Sequence, residues 1–398
     1  MDIVIHPTRL HGTLTAIPSK SQAHRLLICA AFSDRATTLS CPETNRDIEA
    51  TADCLRSLGA KIVRTQTGYT ISPVCTIPKQ AVLPCGESGS TLRFLLPVVG
   101  ALGVEGTFQL EGRLPYRPLS PLWEEMERMG CVLTRPSENT VRCTGKLNSG
   151  AYSIDGSISS QYISGLLFAL ALIDGHSTLT VTGKMESIPY IEMTRQALQA
   201  FGVATEYRDL QGSYPLHSPG QVSVEGDWSN GAFFVAASVL GSNVEILGLQ
   251  LSSPQGDKAV VEALSALERP ALISAADIPD LVPILAIVAG AKHGCTFTDT
   301  RRLRLKESDR VETIAAMLRS LGADVIISEN SMVVKPGNYR ACTIDAAGDH
   351  RIAMAAAIAA TVADGPVTIC GAECVAKSYP TFWEEYKKLG GQYEQYIR

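Results

Sequence analysis

Cations stand at the openings of apolar segments throughout this sequence. In IPSKSQAHR, residues 17–25, Lys20, Ser21 and Arg25 lead into the apolar run LLICAAF. A helix starting there presents free backbone N–H groups flanked by two positive charges. Pro18 halts the preceding strand, and Ser19 or Ser21 can cap the helix. Such a start favours a phosphate or a carboxylate. Similar sets recur as Glu87, Gly89, Ser90 and Arg93; as Ser159, Ser160 and Gln161; as Asp280; and as Asp349, His350 and Arg351. Loops add Arg113 and Arg117 in GRLPYRP, Ser187 and Tyr190 in ESIPY, Lys306, Glu307 and Arg310 in the run RRLRLKESDR, and Lys377 in AKSYP. One helix N-terminus contributes only about 0.3–1 kcal/mol towards an anion, and a charge-assisted hydrogen bond about 1.5–3 kcal/mol. Several converging cations are therefore needed to hold a small, multiply charged anion. Solvated surface charge accounts for 301–310 but not for cations at the mouths of apolar helices.

Other chemistries lack their marks. No GxxxxGK[ST] loop, GxGxxG turn or GxSxG elbow occurs, so nucleotide hydrolysis, dinucleotide binding and serine-hydrolase chemistry have no fingerprint. A net charge of −5 argues against nucleic acid as a partner, which needs a broad basic surface. The eleven cysteines form no CxxC and no Cys/His zinc spacing, so they read as reduced, buried thiols, and no metal is expected among them. The longest apolar runs, 165–173 and 281–291, fall short of a membrane span. MDIVIHPTRL shows no targeting pattern, so a cytoplasmic protein is expected. Its partners are expected to be small molecules and the protein itself a monomer.

The elements that position these residues repeat. An apolar helix opened by Ser or Asp recurs at 21, 90, 160, 229, 280 and 349, at intervals of 69, 70, 69, 51 and 69 residues. A second, amphipathic helix family falls between them and ends in a Leu-Gly-small signature, as in CLRSLGAKIV, EMERMGCVLT, ALQAFGVATEY and MLRSLGADVII. The glycine marks a left-handed C-terminal cap. The first family is apolar all round and should be buried; the second should lie at the surface. With short β-branched stretches between helices, each unit reads as β-α-β-α-β-β, and six units divide into two domains of three. The short fourth interval predicts that the fifth unit has lost a piece. The N-terminal strand DIVIHP precedes the first unit and closes best in the later domain, which gives domains 1–13 plus 226–398 and 14–225. The chain then crosses between domains twice, a two-strand hinge. If the buried helices of a domain run alike, their openings line one cleft.

The ordered motifs IPSKSQAHR, CGESGSTLRF, GRLPYRP, SISSQY, SIPYIEMT, DIPDLVP, RLKESDR, GDHRIAM and AKSYPTF span the chain, and together they resemble the 5-enolpyruvylshikimate-3-phosphate synthase family. The resemblance implies an α/β (α+β) fold of two inverted αβ barrels, each built from three βαβαββ units and closing about a hinge. It implies enolpyruvyl transfer from phosphoenolpyruvate to the 5-hydroxyl of shikimate 3-phosphate, releasing phosphate without a cofactor. On the shikimate 3-phosphate side the matching positions are Lys20, Ser21, Arg25, Ser159, Ser160, Gln161, Ser187, Tyr190, Asp280 and Lys306. On the phosphoenolpyruvate side they are Lys20, Gly89, Arg93, Arg113, Gln161, Arg310, Arg351 and Lys377. Asp280 is similar to the carboxylate that engages the reacting hydroxyl and Glu307 to the group that handles protons at the enolpyruvyl carbon, with Lys20 and Lys377 also catalytic. As rival roles, Asp280 can simply cap its helix and Glu307 can simply pair with an arginine.

Two positions depart from the family pattern. Glu87 and Arg302 stand where asparagine is common, and the resemblance predicts that Glu87 alters the phosphoenolpyruvate-side pocket. The related UDP-N-acetylglucosamine enolpyruvyl transferases resemble a Lys-Asn pair at the first helix and usually have a cysteine in the loop matching 111–118. Here the pair is Lys20-Ser21 and that loop has no cysteine. RNA 3'-phosphate cyclase-like proteins share a similar repeat, but the acidic chain lacks their nucleotide chemistry. A non-catalytic anion-binding module would not need Asp280, Glu307 and Lys377 together.

Overall fold

A computed structural model describes residues 1–203, 210–212 and 215–396. The six apolar segments form α1 (Lys20–Ala31), α3 (Gly89–Leu102), α5 (Ser160–Leu172), α7 (Trp228–Val239), α9 (Val282–Ala291) and α11 (His350–Ala360). Between them lie α2 (Arg46–Ser57), α4 (Leu122–Arg128), α6 (Ile188–Ala200), α8 (Val260–Ala266), α10 (Arg310–Leu321) and α12 (Phe382–Lys388). The first set is buried nearly throughout, because no face of these helices is polar enough to meet water. The second set buries one face; α2, for example, buries Ile48, Ala52 and Leu55 and exposes Asp53. Gly59, Gly130, Gly202 and Gly322 follow helices of this set with φ between 83° and 116°, as the Leu-Gly signature requires. The strand expected in ALQAFGVATEY, over 204–207, lies outside the described residues.

The chain divides into two compact units, 1–17 with 225–398, and 18–224. The crossings expected at 13–14 and 225–226 therefore move to 17–18 and 224–225. Residues 14–17 belong with the later segment because strand His11–Thr15 pairs in parallel with Asn243–Leu247, and Ala16 N–H then donates to Leu247 O.

In the continuous unit, three sheets surround α1, α3 and α5 with their partner helices. Strands Gln80–Gly86, Glu105–Leu110, Thr140–Gly145 and Cys131–Ser137 form one complete four-stranded repeat. The sheet after α1 borrows its first strand, Gln221–Ser223, from the end of the unit. Helices α3 and α5 cross closely for an identifiable reason. Pro97 inside α3 has no N–H, which frees the Arg93 carbonyl one turn earlier, and Gly165 of α5 rests against it. A Cβ at Gly165 would lie 2.2 Å from Arg93 O. Gly165→Ala is thus expected to push the helices apart and cost about 1–3 kcal/mol. Urea unfolding followed by Trp123 fluorescence checks this; an unchanged midpoint would refute the contact's importance.

In the discontinuous unit, strand Asp2–His6 sits between Val367–Cys370 and Gln392–Tyr396, antiparallel to both. The repeat opened by α9 has a full four-stranded sheet, Ala271–Ser274, Cys295–Thr298, Ser331–Val334 and Val325–Ile327. The sheet of the α7 repeat has two strands among the described residues, His11–Thr15 and Asn243–Leu247. The expectation that the fifth unit lost a piece is corrected: in the short interval from Ser229 to Asp280, α8 is followed by the single strand Ala271–Ser274, where α2, α4 and α10 are each followed by a hairpin. Each unit has its own core, with Leu27, Leu95 and Leu167 in one and Ile284, Phe233 and Ala356 in the other.

Candidate active site

In unit 18–224, the start of α3 gathers positive charge. Ser88 caps it, its Oγ accepting from Thr91 N–H at 3.3 Å. A Cβ at Gly89 would lie 2.6 Å from Arg93 Nη1 and 2.7 Å from Arg117 Nη1, so the missing side chain lets two guanidinium groups reach the helix N-terminus. Arg93 Nη1 donates to Gln161 Oε1 at 3.0 Å, Gln161 Nε2 donates to Ser90 Oγ at 2.9 Å, and Arg93 Nη2 reaches Pro118 O at 3.2 Å. These bonds tie the starts of α3 and α5 together. Ser159 caps α5 by accepting from Gln161 N–H. Ser160 is buried in its first turn.

Residues from the opening motif divide differently. Lys20 Nζ is 3.0 Å from Asp47 Oδ2, a carboxylate at the start of α2 that the sequence reading did not single out. Arg25 is buried and committed to protein partners: Nε donates to Thr194 Oγ1 and Nη2 to Tyr190 O, both at 2.8 Å, and Nη1 donates to Ser21 O at 2.5 Å. Its guanidinium lies 4.9 Å above the Phe94 ring. Burial pushes Arg25 down to about 10, so it stays charged at neutral pH. Ser21 lies in the first turn of α1 and Ser19 occupies the cap position without a side-chain bond, so neither serine caps the helix. Ser187 is buried at φ 56°, a left-handed conformation, immediately before α6. Arg113 is exposed at the head of the 3-10 turn Leu114–Tyr116. Of the two arginines in GRLPYRP, Arg117 is the one that meets α3, which spacing alone did not reveal. Glu87 is exposed and lies against Gly112, where a Cβ would sit 2.7 Å from its carboxyl carbon.

In the other unit, one buried network joins the starts of α7, α9, α10 and α11. Asp280 Oδ1 accepts from Arg310 Nη1 at 2.6 Å and Asp280 Oδ2 from Arg351 Nη2 at 3.0 Å, with Lys306 Nζ 3.7 Å away. Burial works to raise the Asp280 pKa, but Arg351, Lys306 and Arg310 outweigh it and hold the carboxyl well below the usual range. Asp280 is not a cap: α9 begins at Val282, and no side chain caps it. Glu307 Oε2 accepts from Arg310 Nη2 at 2.9 Å, so the arginine pairing named as its rival role does occur. Arg310 is 1% exposed, and its Nε donates to Asp349 Oδ2 at 2.8 Å. Asp349 caps α11 through Arg351 N–H at 3.0 Å and also receives Ser308 Oγ–H. Behind Arg351, Ser229 Oγ accepts from Nη2 at 3.1 Å and donates to Asp257. Asp257 and Ser229 had no signal in sequence beyond their positions near helix starts. Lys377 is buried at the end of the 3-10 helix Ala372–Lys377.

Lys306 is 21% exposed, and burial, together with the Arg310 and Arg302 charges, lowers its pKa from 10.5 to about 8. A lysine with a depressed pKa carries its charge below that value and loses it above. If its cation binds substrate, kcat/KM is expected to fall as pH rises through about 8, and Lys306→Arg to move that limb upward. A pH profile flat to pH about 9.5 would remove Lys306 from anion binding. Among the described residues, no group of His, Cys, Asp or Glu side chains is arranged to hold a metal ion, and no helix is long and apolar enough to cross a membrane.

A family model described as EPSP synthase (3-phosphoshikimate 1-carboxyvinyltransferase) matches residues 4–275 and 265–386. The chain is 36% identical to the 3-phosphoshikimate 1-carboxyvinyltransferase of Clostridium kluyveri, over 99% of this chain and 98% of that protein. It is 35% identical to the protein of the same name from Clostridium acetobutylicum, with the same coverage. Its fold is similar to a solved EPSP synthase from Acinetobacter baumannii, with a TM-score of 0.80 and 24% identity over 99% of this chain and all of that one. The enolpyruvyl transferase NikO from Streptomyces tendae is similar in fold at a TM-score of 0.78 and 19% identity, over 99% of this chain and 98% of that one.

Proposed function

The chain belongs to the EPSP synthase (3-phosphoshikimate 1-carboxyvinyltransferase) family and is a transferase, and from that premise we propose that it moves the enolpyruvyl group of phosphoenolpyruvate to the 5-hydroxyl of shikimate 3-phosphate by addition and elimination. The observation that carries this reading is the Asp280 carboxylate held between Arg310 and Arg351 with Glu307 on the same guanidinium.

The chemistry divides among these groups. Addition needs a proton on the methylene carbon of phosphoenolpyruvate, which makes the neighbouring carbon cationic. The hydroxyl then attacks that carbon and loses its own proton, giving a tetrahedral intermediate. Elimination removes a methyl proton, re-forms the double bond and breaks the carbon–oxygen bond to phosphate. Asp280, kept ionised, orients the hydroxyl and takes its proton; Glu307 gives and then recovers the methylene proton. Arg310 donates to both carboxylates, so proton gain on one is felt by the other. Lys20 and Lys377 assist proton transfer and neutralise the leaving phosphate. Arg93, Gly89, Gln161, Arg310 and Arg351 serve the donor, with Arg117 at the α3 start taking the place expected of Arg113; Ser21, Arg25, Ser159, Ser160, Ser187, Tyr190 and Lys306 serve the acceptor. Arg25 fixes Thr194, Ser21 and Tyr190 with three of its five N–H donors, and the other two can meet the acceptor's phosphate.

Phosphate release with phosphoenolpyruvate plus either shikimate 3-phosphate or UDP-N-acetylglucosamine tests the assignment. Turnover is expected only with shikimate 3-phosphate; turnover only with the nucleotide sugar would overturn it. Glu87, packed on the loop that carries Arg113, is expected to tune donor affinity, so Glu87→Asn should change KM for phosphoenolpyruvate and the affinity of inhibitors that mimic it. Unchanged constants would dismiss that role.

A further inference from the structure

The motif IPSKSQAHR also holds His24, which none of the roles above uses. It is 0% exposed on α1, one turn after Lys20. Its Nδ1 lies 2.6 Å from Thr51 Oγ1 on α2, one turn after Asp47. Two rungs therefore couple α1 to α2, Lys20 with Asp47 at the open end and His24 with Thr51 inside. The inner rung continues into α3. Thr51 Oγ1 is 2.6 Å from Thr91 Oγ1, and Thr91 Oγ1 donates to Ser88 Oγ at 2.7 Å. Ser88 is the cap of α3, next to Gly89 and the two guanidinium groups.

A hydroxyl has one proton, which gives the chain a direction. The Thr91 proton goes to Ser88, so Thr91 receives the proton of Thr51, and Thr51 receives the Nδ1 proton of His24. This selects the neutral imidazole protonated on Nδ1. The opposite nitrogen, Nε2, is buried without a hydrogen-bond partner among the described residues, which suits a ring atom with no proton to place. The ring edge packs on Phe94, with centroids 6.4 Å apart, and burial pushes the imidazole down to about 3, so it is uncharged at neutral pH.

We propose that His24 is a positioning residue: through Thr51 and Thr91 it fixes the Ser88–Gly89 start of α3 against Lys20 and so sets the geometry that receives the enolpyruvyl donor. This rests on the donor-side assignment above. Two independent measurements test it. In nitrogen-15 NMR of the full-length histidine-labelled protein at neutral pH, with His24 assigned through His24→Asn, Nδ1 is expected to be protonated and Nε2 bare. A proton on Nε2 would overturn the relay. This readout needs no turnover, so it judges the relay even if the transfer assay fails and sinks the functional reading instead.

The kinetic measurement uses a nearly isosteric break. Thr91→Val is expected to raise KM for phosphoenolpyruvate about tenfold, with a smaller change for shikimate 3-phosphate, and Thr91→Ser to restore it. His24→Leu should act like Thr91→Val. His24→Asn, whose amide N–H can replace Nδ1–H, should stay within about threefold of the parent. A purely structural role would lower the unfolding midpoint of Thr91→Val and leave KM unmoved, and that result would also overturn the proposal.

Discussion

Replacing Asp280 by alanine is expected to lower kcat about a thousandfold or more while KM for phosphoenolpyruvate changes by less than about tenfold. A thousandfold loss corresponds to about 4 kcal/mol of transition-state stabilisation. Three cations face this carboxylate, Arg310 at 2.6 Å, Arg351 at 3.0 Å and Lys306 at 3.7 Å. They keep it ionised and available to a hydroxyl, and they stay behind when it is removed. The surplus positive charge then favours anionic substrates, so binding survives while the proton acceptor is gone. Asp280→Asn separates charge from shape, because an amide of the same size can accept the guanidinium bonds only on one side and takes no proton. Steady-state kinetics of both variants check the expectation. Near-normal turnover in the asparagine variant would mean that the hydroxyl proton leaves by another route.

The second large effect concerns stability. Arg310→Met is expected to destabilise its unit by about 3–5 kcal/mol at neutral pH, because it leaves uncompensated buried charge. Arg310 is 1% exposed and faces Asp280, Glu307 and Asp349, the last 0% exposed. The loss of stability on acidification should become smaller. In the parent, Asp280 has a depressed pKa, so its contribution is present above the ordinary carboxylate range and lost as pH falls through the folded value. In the variant Asp280 still faces Arg351 and Lys306, so this contribution persists but shrinks. Trp228 and Trp383 lie in this unit and report its unfolding by fluorescence. Equal urea midpoints for parent and variant would show that the network contributes nothing to stability.

Much of the fold was legible because burial and period are local properties. Six apolar helices at near-constant spacing identified the repeat, and the Leu-Gly signature located helix ends that do have positive φ. Cap identity was less legible. Asp227 caps α7, accepting from Asn230 N–H at 2.8 Å, where the apolar run suggested an opening at Ser229. The rival cap role of Asp280 fails, because it lies before the first turn of α9 and faces arginines. The cations of the site were visible as types, since few other roles place them at apolar helix starts. Their partners were not. Asp47 with Lys20, Asp257 behind Ser229, and Arg117 beside Gly89 meet across elements far apart in sequence, and no local pattern encodes which carboxylate will face which cation. The strand deficit was likewise assigned to the neighbouring repeat, because an interval length does not say on which side of a helix residues are missing.

The pairing of strand Asp2–His6 between Val367–Cys370 and Gln392–Tyr396 also bears on the order of events during synthesis. Strand Asp2–His6 is made long before either of the strands it pairs with. Unit 18–224 is continuous and has its own core, so it can fold while strand 2–6 is still unpaired. The discontinuous unit completes this sheet only once residues 392–396 have been made, so strand 2–6 stays unpaired through most of the synthesis of both units.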